Sequence, residues 1–177
     1  IGLVGSEMCI RDRYTTKREI LEGISELSKK YHAPIYTHNS ESASEVAQCV
    51  ERTGMTPTVY MEQLGLFEYG GGLYHCVHMS EEDLDVVKRH QISVITNPAS
   101  NLKLASGIAP IEEMLKRNID LAIGTDGPAS NNCLDMFREM FLVTALAKYR
   151  ENDASAVDAA EVLKMATTGG AKAMNLS

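Results

Sequence analysis

No run of apolar residues in this 177-residue chain approaches the ~20 that a membrane helix requires, and aromatic residues make up only 6% of it. A helical membrane span is thereby excluded. Basic residues are also short, 17 against 24 acids for a formal net charge of -7, and they form no cluster. Without a basic footprint a nucleic-acid backbone is not an expected partner, nor is a membrane; a small-molecule substrate is easier to imagine. The chain opens with nothing resembling a charged, then apolar, then small-residue signal, so a cytoplasmic location is expected. Four cysteines, Cys9, Cys49, Cys76 and Cys133, include no CxxC pair, which argues for reduced, mostly buried thiols and against zinc held by cysteine.

What is present is an ordinary 44% of hydrophobic residues arranged in a regular alternation, enough for one α/β domain. Ile20, Leu21, Ile24, Leu27 and Ser28 recur at helical spacing within 17–31, and a short apolar run, 33–36, follows as a strand. A helix over 41–52 closes on Gly54, and Pro57 opens another through Leu66. Gly70-Gly71-Gly72 breaks into a strand at 73–77, and Ser80 caps a helix to about His90. A strand at 92–96, a loop over 97–109, a helix at 110–118, a strand at 120–124 and helices near 135–150 and 156–167 complete the series. Four strands separated by helices imply right-handed crossovers and a parallel sheet. Either a doubly wound sheet or part of a (β/α)8 barrel satisfies that pattern, and both place ligands at the carboxyl ends of the strands.

Those ends are polar. They read His38 in IYTHNSES, His75 in GLYHCVHMS, Asn97 in VITNPASN and Asp126 in AIGTDGPASNN. Singly, each has a plain explanation as a core histidine, turn or helix cap. Together, two imidazoles and a carboxylate at equivalent strand ends are donors suited to a divalent ion such as zinc. Alternation sharpens the point, because Ala122, Gly124 and Asp126 share one face while Leu121, Ile123 and Thr125 take the other. A small face ending in a charge suits a barrel interior with room for an ion and a substrate. Glu41, three residues after His38, is either a helix N-terminal acid or a general acid just outside the ion's reach. By parity His78 should leave the site or line its rim, and His32 and His90, at helix ends, are structural.

The blocks HNSE (38–41), TPTVYMEQLGLF (56–67), HCVHMS (75–80), NPASNLKLASGIAP (97–110) and GTDGPASNN (124–132) together resemble the amidohydrolase superfamily. More narrowly they are similar to its 5-methylthioadenosine/S-adenosylhomocysteine deaminase branch. The resemblance covers 14–177 and implies an α/β fold, the C-terminal half (strands five to eight) of a metal-dependent (β/α)8 TIM barrel. It implies one divalent metal ion, zinc or alternatively iron, with His38 and Asp126 as metal ligands. It further implies catalytic roles for Glu41, which protonates a ring nitrogen, for His75, which orients the attacking water, and for Asp126, which shuttles a proton to the leaving amine. Glu41 and Asp126 would also contact substrate. The implied reaction is hydrolytic removal of the amino group of a purine nucleoside.

Departures from the family pattern matter as much. The family's His-x-His pair on strand one is nowhere in this sequence, nor are strands one to four. The opening IGLVGSEMCIRDR, residues 1–13, does not continue the pattern and reads as translated sequencing adapter joined to a genuine fragment, 14–177, of the catalytic domain. Such a fragment is expected to be inactive alone. Related chemistry on another heterocycle (guanine deaminase or s-triazine chlorohydrolase type), a noncatalytic half-barrel module and a homo-oligomer all stay open.

Overall fold

The computed structural model describes the backbone of residues 8–10 and the chain from 16 to 176. Five strands, β1 (Met8–Ile10), β2 (Ile35–Asn39), β3 (Gly71–His75), β4 (Ser93–Thr96) and β5 (Leu121–Ile123), form one sheet in the order β1-β2-β3-β4-β5. Every pairing is parallel. A doubly wound sheet reverses its strand order partway and carries helices on both faces. Here the order never reverses.

Apart from one short C-terminal helix, the helices that bury core residues lie on one face. Leu21 of α1 (Arg18–Tyr31), Met61 of α3 (Pro57–Gln63), Leu84 and Val87 of α4 (Glu81–Arg89) and Met114 of α6 (Ile111–Lys116) form one buried cluster. Val143 of α7 (Met136–Glu151) and Val162 of α8 (Ala159–Lys164) join it, against Ile35, Leu73, Val94, Leu121 and Ile123 from the strands. On the opposite face Tyr74, Ile95 and Ala122 make a small separate cluster with Ala173 of the short C-terminal α9 (Gly170–Ala173). A singly wound sheet with helices outside is an arc of a (β/α)8 barrel. The small-inside, bulky-outside division expected along β5 holds, with Ala122 inward and its two neighbours outward.

Several boundaries differ from those read in the sequence. The strand expected at 33–36 runs to Asn39, so His38 lies within it rather than after it. Gly71, expected to break the chain, is in the strand at φ 137°, because a Cβ there would lie 1.8 Å from the carbonyl oxygen of Ile35. Close backbone approach, not a turn, is what that glycine serves. The expected loop 97–109 contains a buried helix, α5 (Pro98–Lys103), started by a proline at its first turn. In α1 the buried face is Leu21, Ser25 and Ser28, whereas Ile20 and Leu27 face solvent. Of the segment 1–13 set apart above, only Met8–Ile10 falls among the described residues, as the edge strand beside β2.

None of the described helices is long and apolar enough to cross a membrane. Among the described residues Cys49, Cys76 and Cys133 take part in no disulfide, and the first two are buried. His32 and His90 end α1 and α4 as expected, the first against the Tyr69 ring and the second bonded to Glu62 Oε1 at 2.8 Å.

Candidate active site at the carboxyl end of the sheet

Ser40, His75, Cys76 and Asp126, all at or just beyond strand ends, have positive φ values of 48°, 70°, 49° and 58°. For residues other than glycine such backbone costs on the order of 1–3 kcal/mol each, and it persists only where surrounding contacts enforce it. The contacts are evident. By strict alternation His75 would share the side of Leu73 and enter the helix layer. Its left-handed backbone breaks that alternation, and its ring instead stacks on His38, with centroids 5.2 Å apart. His75 is fully buried, its Nδ1 lies 2.7 Å from Asn101 Oδ1, and its Nε2 lies 3.8 Å from Glu41 Oε2.

Glu41 is not the first-turn acid of a helix. The following helix, α2, spans Ala43–Thr53, with Ser42 as its cap and Glu45 as the acid of the capping box. The Glu45 carboxylate is buried and accepts backbone N–H bonds from Ser40 (3.0 Å), Glu41 (2.6 Å) and Ser42 (3.2 Å). Glu45 therefore does the dipole work that position 41 could have done. The Glu41 side chain is left to turn toward His75, with Ser106 Oγ donating to its Oε1 at 3.3 Å. Ser106 also offers its carbonyl oxygen to His78 Nε2 at 2.7 Å, which places His78 on the rim.

Asp126 Oδ2 accepts two hydroxyl hydrogen bonds, from Ser100 at 2.7 Å and Ser130 at 2.5 Å. Burial pushes this carboxyl up, but those two hydroxyls, the Gly127 backbone and the nearby His75 imidazole outweigh it and hold it below the ordinary carboxylate range. Asp126 is ionised at neutral pH. The two serines occupy equivalent places in a repeated tetrapeptide, PASN, found at 98–101 and again at 128–131.

A second layer ties these segments together. Glu139 of α7 is fully buried and accepts from Ala99 N–H at 3.0 Å and from Asn131 Nδ2 at 2.7 Å; Asn131 Nδ2 also donates to Thr125 O at 2.8 Å. One carboxylate thus links the segment of α5 carrying Ser100 and Asn101 to the loop carrying Asp126 and Ser130. Glu139→Leu removes the acceptor of the Ala99 N–H and one of the two acceptors of Asn131 Nδ2, and should destabilise the fold by roughly 1–3 kcal/mol, read from the urea midpoint. An unchanged midpoint would show that the two segments hold themselves.

The narrow inner face at β5 has its own steric basis. A Cβ on Gly124 would lie 2.4 Å from Asn97 Oδ1 and 3.2 Å from Ile95 Cγ2. Gly124→Ala therefore displaces the buried Asn97 amide and should cost about 1–3 kcal/mol by overpacking, measured the same way. Wild-type stability in that variant would mean the amide moves aside freely.

Of the residues singled out in the sequence, His38, Glu41, His75 and Asp126 thus meet at one end of the sheet, linked by the His38–His75 stack, the Glu41–His75 contact and the influence of His75 on Asp126. Ser100, Asn101, Ser106, Ser130, Glu45 and Glu139 were not singled out. The repeated PASN was the available signal for three of them, Ser100, Asn101 and Ser130. No group of three or more His, Cys, Asp or Glu side chains among the described residues is placed to hold a metal ion.

The profile of the amidohydrolase family matches residues 2–177. The chain is 46% identical over 161 residues to a 5-methylthioadenosine/S-adenosylhomocysteine deaminase of Caldanaerobacter subterraneus subsp. tengcongensis, covering 91% of this chain and 37% of that relative. It is 40% identical over 164 residues to a 5'-deoxyadenosine deaminase of Methanocaldococcus jannaschii, covering 92% of this chain and 39% of the relative. The solved structure of an adenosine deaminase from Xanthomonas campestris with bound zinc superposes with a TM-score of 0.90 at 38% identity, over 95% of this chain and 38% of that one. The chain therefore spans somewhat under two fifths of the length of these proteins, and its sheet is part of their (β/α)8 barrel, β2 to β5 being strands five to eight. The chain belongs to the amidohydrolase family.

Proposed function

We propose that this chain supplies half of the catalytic mouth of a hydrolytic deaminase acting on the amino group of a purine nucleoside, such as 5-methylthioadenosine or S-adenosylhomocysteine. The observation that carries the reading is the convergence of Glu41, His75 and Asp126 beside His38 at the carboxyl end of the sheet. Similarity to deaminases named for those substrates and for 5'-deoxyadenosine supports the choice of substrate class.

Imidazole and carboxylate are the donor types a zinc or iron ion takes, so His38 and Asp126 fit as its ligands in kind, if not in number. When bound, the ion supplies acidity, bringing a water to a pKa of about 7. The remaining work falls to side chains. Asp126, ionised at neutral pH, takes a proton from the attacking water and delivers one to the departing amine. Glu41 delivers a proton to the ring nitrogen beside the attacked carbon, giving the displaced electron pair a destination, and recovers one from the added hydroxyl as the carbonyl forms and the amine departs. His75 orients the water. The arrangement favours charge that develops only as the reaction proceeds.

On this reading the substrate is a small molecule, the setting is cytoplasmic, and neither nucleic acid nor membrane takes part; the net charge of -7 supports the exclusion of nucleic acid. A substrate panel tests the proposal. A full-length chain carrying this segment should release ammonia from 5-methylthioadenosine, S-adenosylhomocysteine or 5'-deoxyadenosine in preference to guanine or an s-triazine. Preference for either of the last two would assign the site to the other heterocycle chemistry.

A further inference from the structure

We propose that Asn101 is a positioning residue that fixes His75 in its Nδ1–H tautomer and so presents Nε2, the nitrogen beside Glu41, as a hydrogen-bond acceptor. A neutral imidazole has one N–H and one bare nitrogen, and which is which is set by the bond the other nitrogen makes. Here Nδ1 lies 2.7 Å from the Asn101 amide oxygen, an acceptor, with both side chains about 1% exposed. The opposite tautomer would press two lone pairs together at that distance, with no room for water to separate them.

Asn101 is itself held firmly. Its N–H donates to Asn97 O at 2.9 Å, its carbonyl accepts from Ser106 N–H at 2.8 Å, and Glu139 anchors Ala99 of the same short helix. On its other side, the His75 ring is braced by the His38 stack. A ring fixed on two sides and protonated at Nδ1 can accept a hydrogen bond at Nε2 from a water or a substrate N–H entering the mouth. It cannot, while neutral, donate to Glu41 across the 3.8 Å separation. In the deaminase reading, on which this use of the tautomer rests, that is the orientation needed to receive the attacking water's hydrogen.

The tautomer can be read without ion or substrate. In the chain labelled with 15N-histidine, once the ring is in its neutral form, His75 should show a pyrrole-type Nδ1 and a pyridine-type Nε2. The resonance is identified by its loss in His75→Gln. Asn101→Asp keeps an acceptor and should keep the pattern; Asn101→Leu removes it and should move the proton wholly or partly to Nε2. A pyridine-type Nδ1 in the unaltered protein, or an unchanged pattern in Asn101→Leu, would overturn the proposal. If Asn101→Leu does not fold, the unaltered protein and Asn101→Asp still decide it.

In the full-length enzyme, Asn101→Leu should lower kcat by roughly 10–100-fold, the usual effect of losing such a supporting partner, with KM little changed and Asn101→Asp restoring most of the rate. A loss confined to KM would contradict a role in orienting the ring. Absence of deaminase activity in the unaltered full-length enzyme would instead sink the reading of function, and the tautomer assignment would still stand or fall by the resonances.

Discussion

Asp126→Ala in a full-length enzyme should lower kcat/KM for a purine nucleoside by at least about 10³-fold, because in the proposed reading one carboxylate serves as an ion ligand and as the carrier of a proton. Proton transfer alone contributes some 10²–10⁴-fold in such reactions. The side chain is prepared for both roles: two serine hydroxyls fix one oxygen, and the same bonds hold the group ionised. Asp126→Asn separates the contributions, since an amide oxygen can still accept from Ser100 and Ser130 while the proton carrier is lost. It should fold normally and remain nearly as impaired as the alanine variant. His38→Ala should abolish activity by a different route, through loss of the ion, and excess metal should recover part of its rate. Retention of more than about a tenth of wild-type kcat/KM by Asp126→Asn would remove Asp126 from proton transfer.

The second large effect concerns metal affinity. In the proposed reading His38 and Asp126 supply two ligands, whereas a zinc site with open chemistry ordinarily draws three from the protein. Four-ligand structural sites reach apparent binding free energies of about 10–16 kcal/mol. Half of that corresponds to a Kd of roughly 1–200 µM for the 177-residue chain. Competition against a chromophoric chelator should therefore show weak binding to this chain and binding at least about 10³-fold tighter to a full-length protein that adds the remaining ligands. Stoichiometric nanomolar binding by the chain alone would mean that donors other than these two complete the shell.

Much of this was legible in the sequence because the relevant signals are local. Strand parity alone separates Ala122 from Leu121 and Ile123, and the structure keeps that division between its two faces. Polar residues closing apolar runs marked the mouth, since His38, His75 and Asp126, each explicable singly as a core, turn or cap residue, recur together at equivalent strand ends. Supporting residues were less visible because their roles depend on distant partners. Glu139 reads as one more helix acid until its carboxylate is found between two segments, 40 residues from Ala99 in the chain. Glu41 and Glu45 are both acids near a helix start, and only the capping geometry separates the structural one from the one facing the site. His75 was found by its place at a strand end and not by parity. Regular alternation would send it outward, and a left-handed backbone, which periodicity does not anticipate, returns it to His38.

The central claim, hydrolytic deamination of a purine nucleoside, is tested most directly by running the full-length enzyme on 5-methylthioadenosine in 18O-labelled water and following ammonia and product together. The account predicts that each ammonia released is matched by a solvent oxygen at C6 of the purine, with both signals lost in Asp126→Ala. Unchanged substrate under saturating divalent metal, or ammonia released without solvent oxygen at C6, would contradict it.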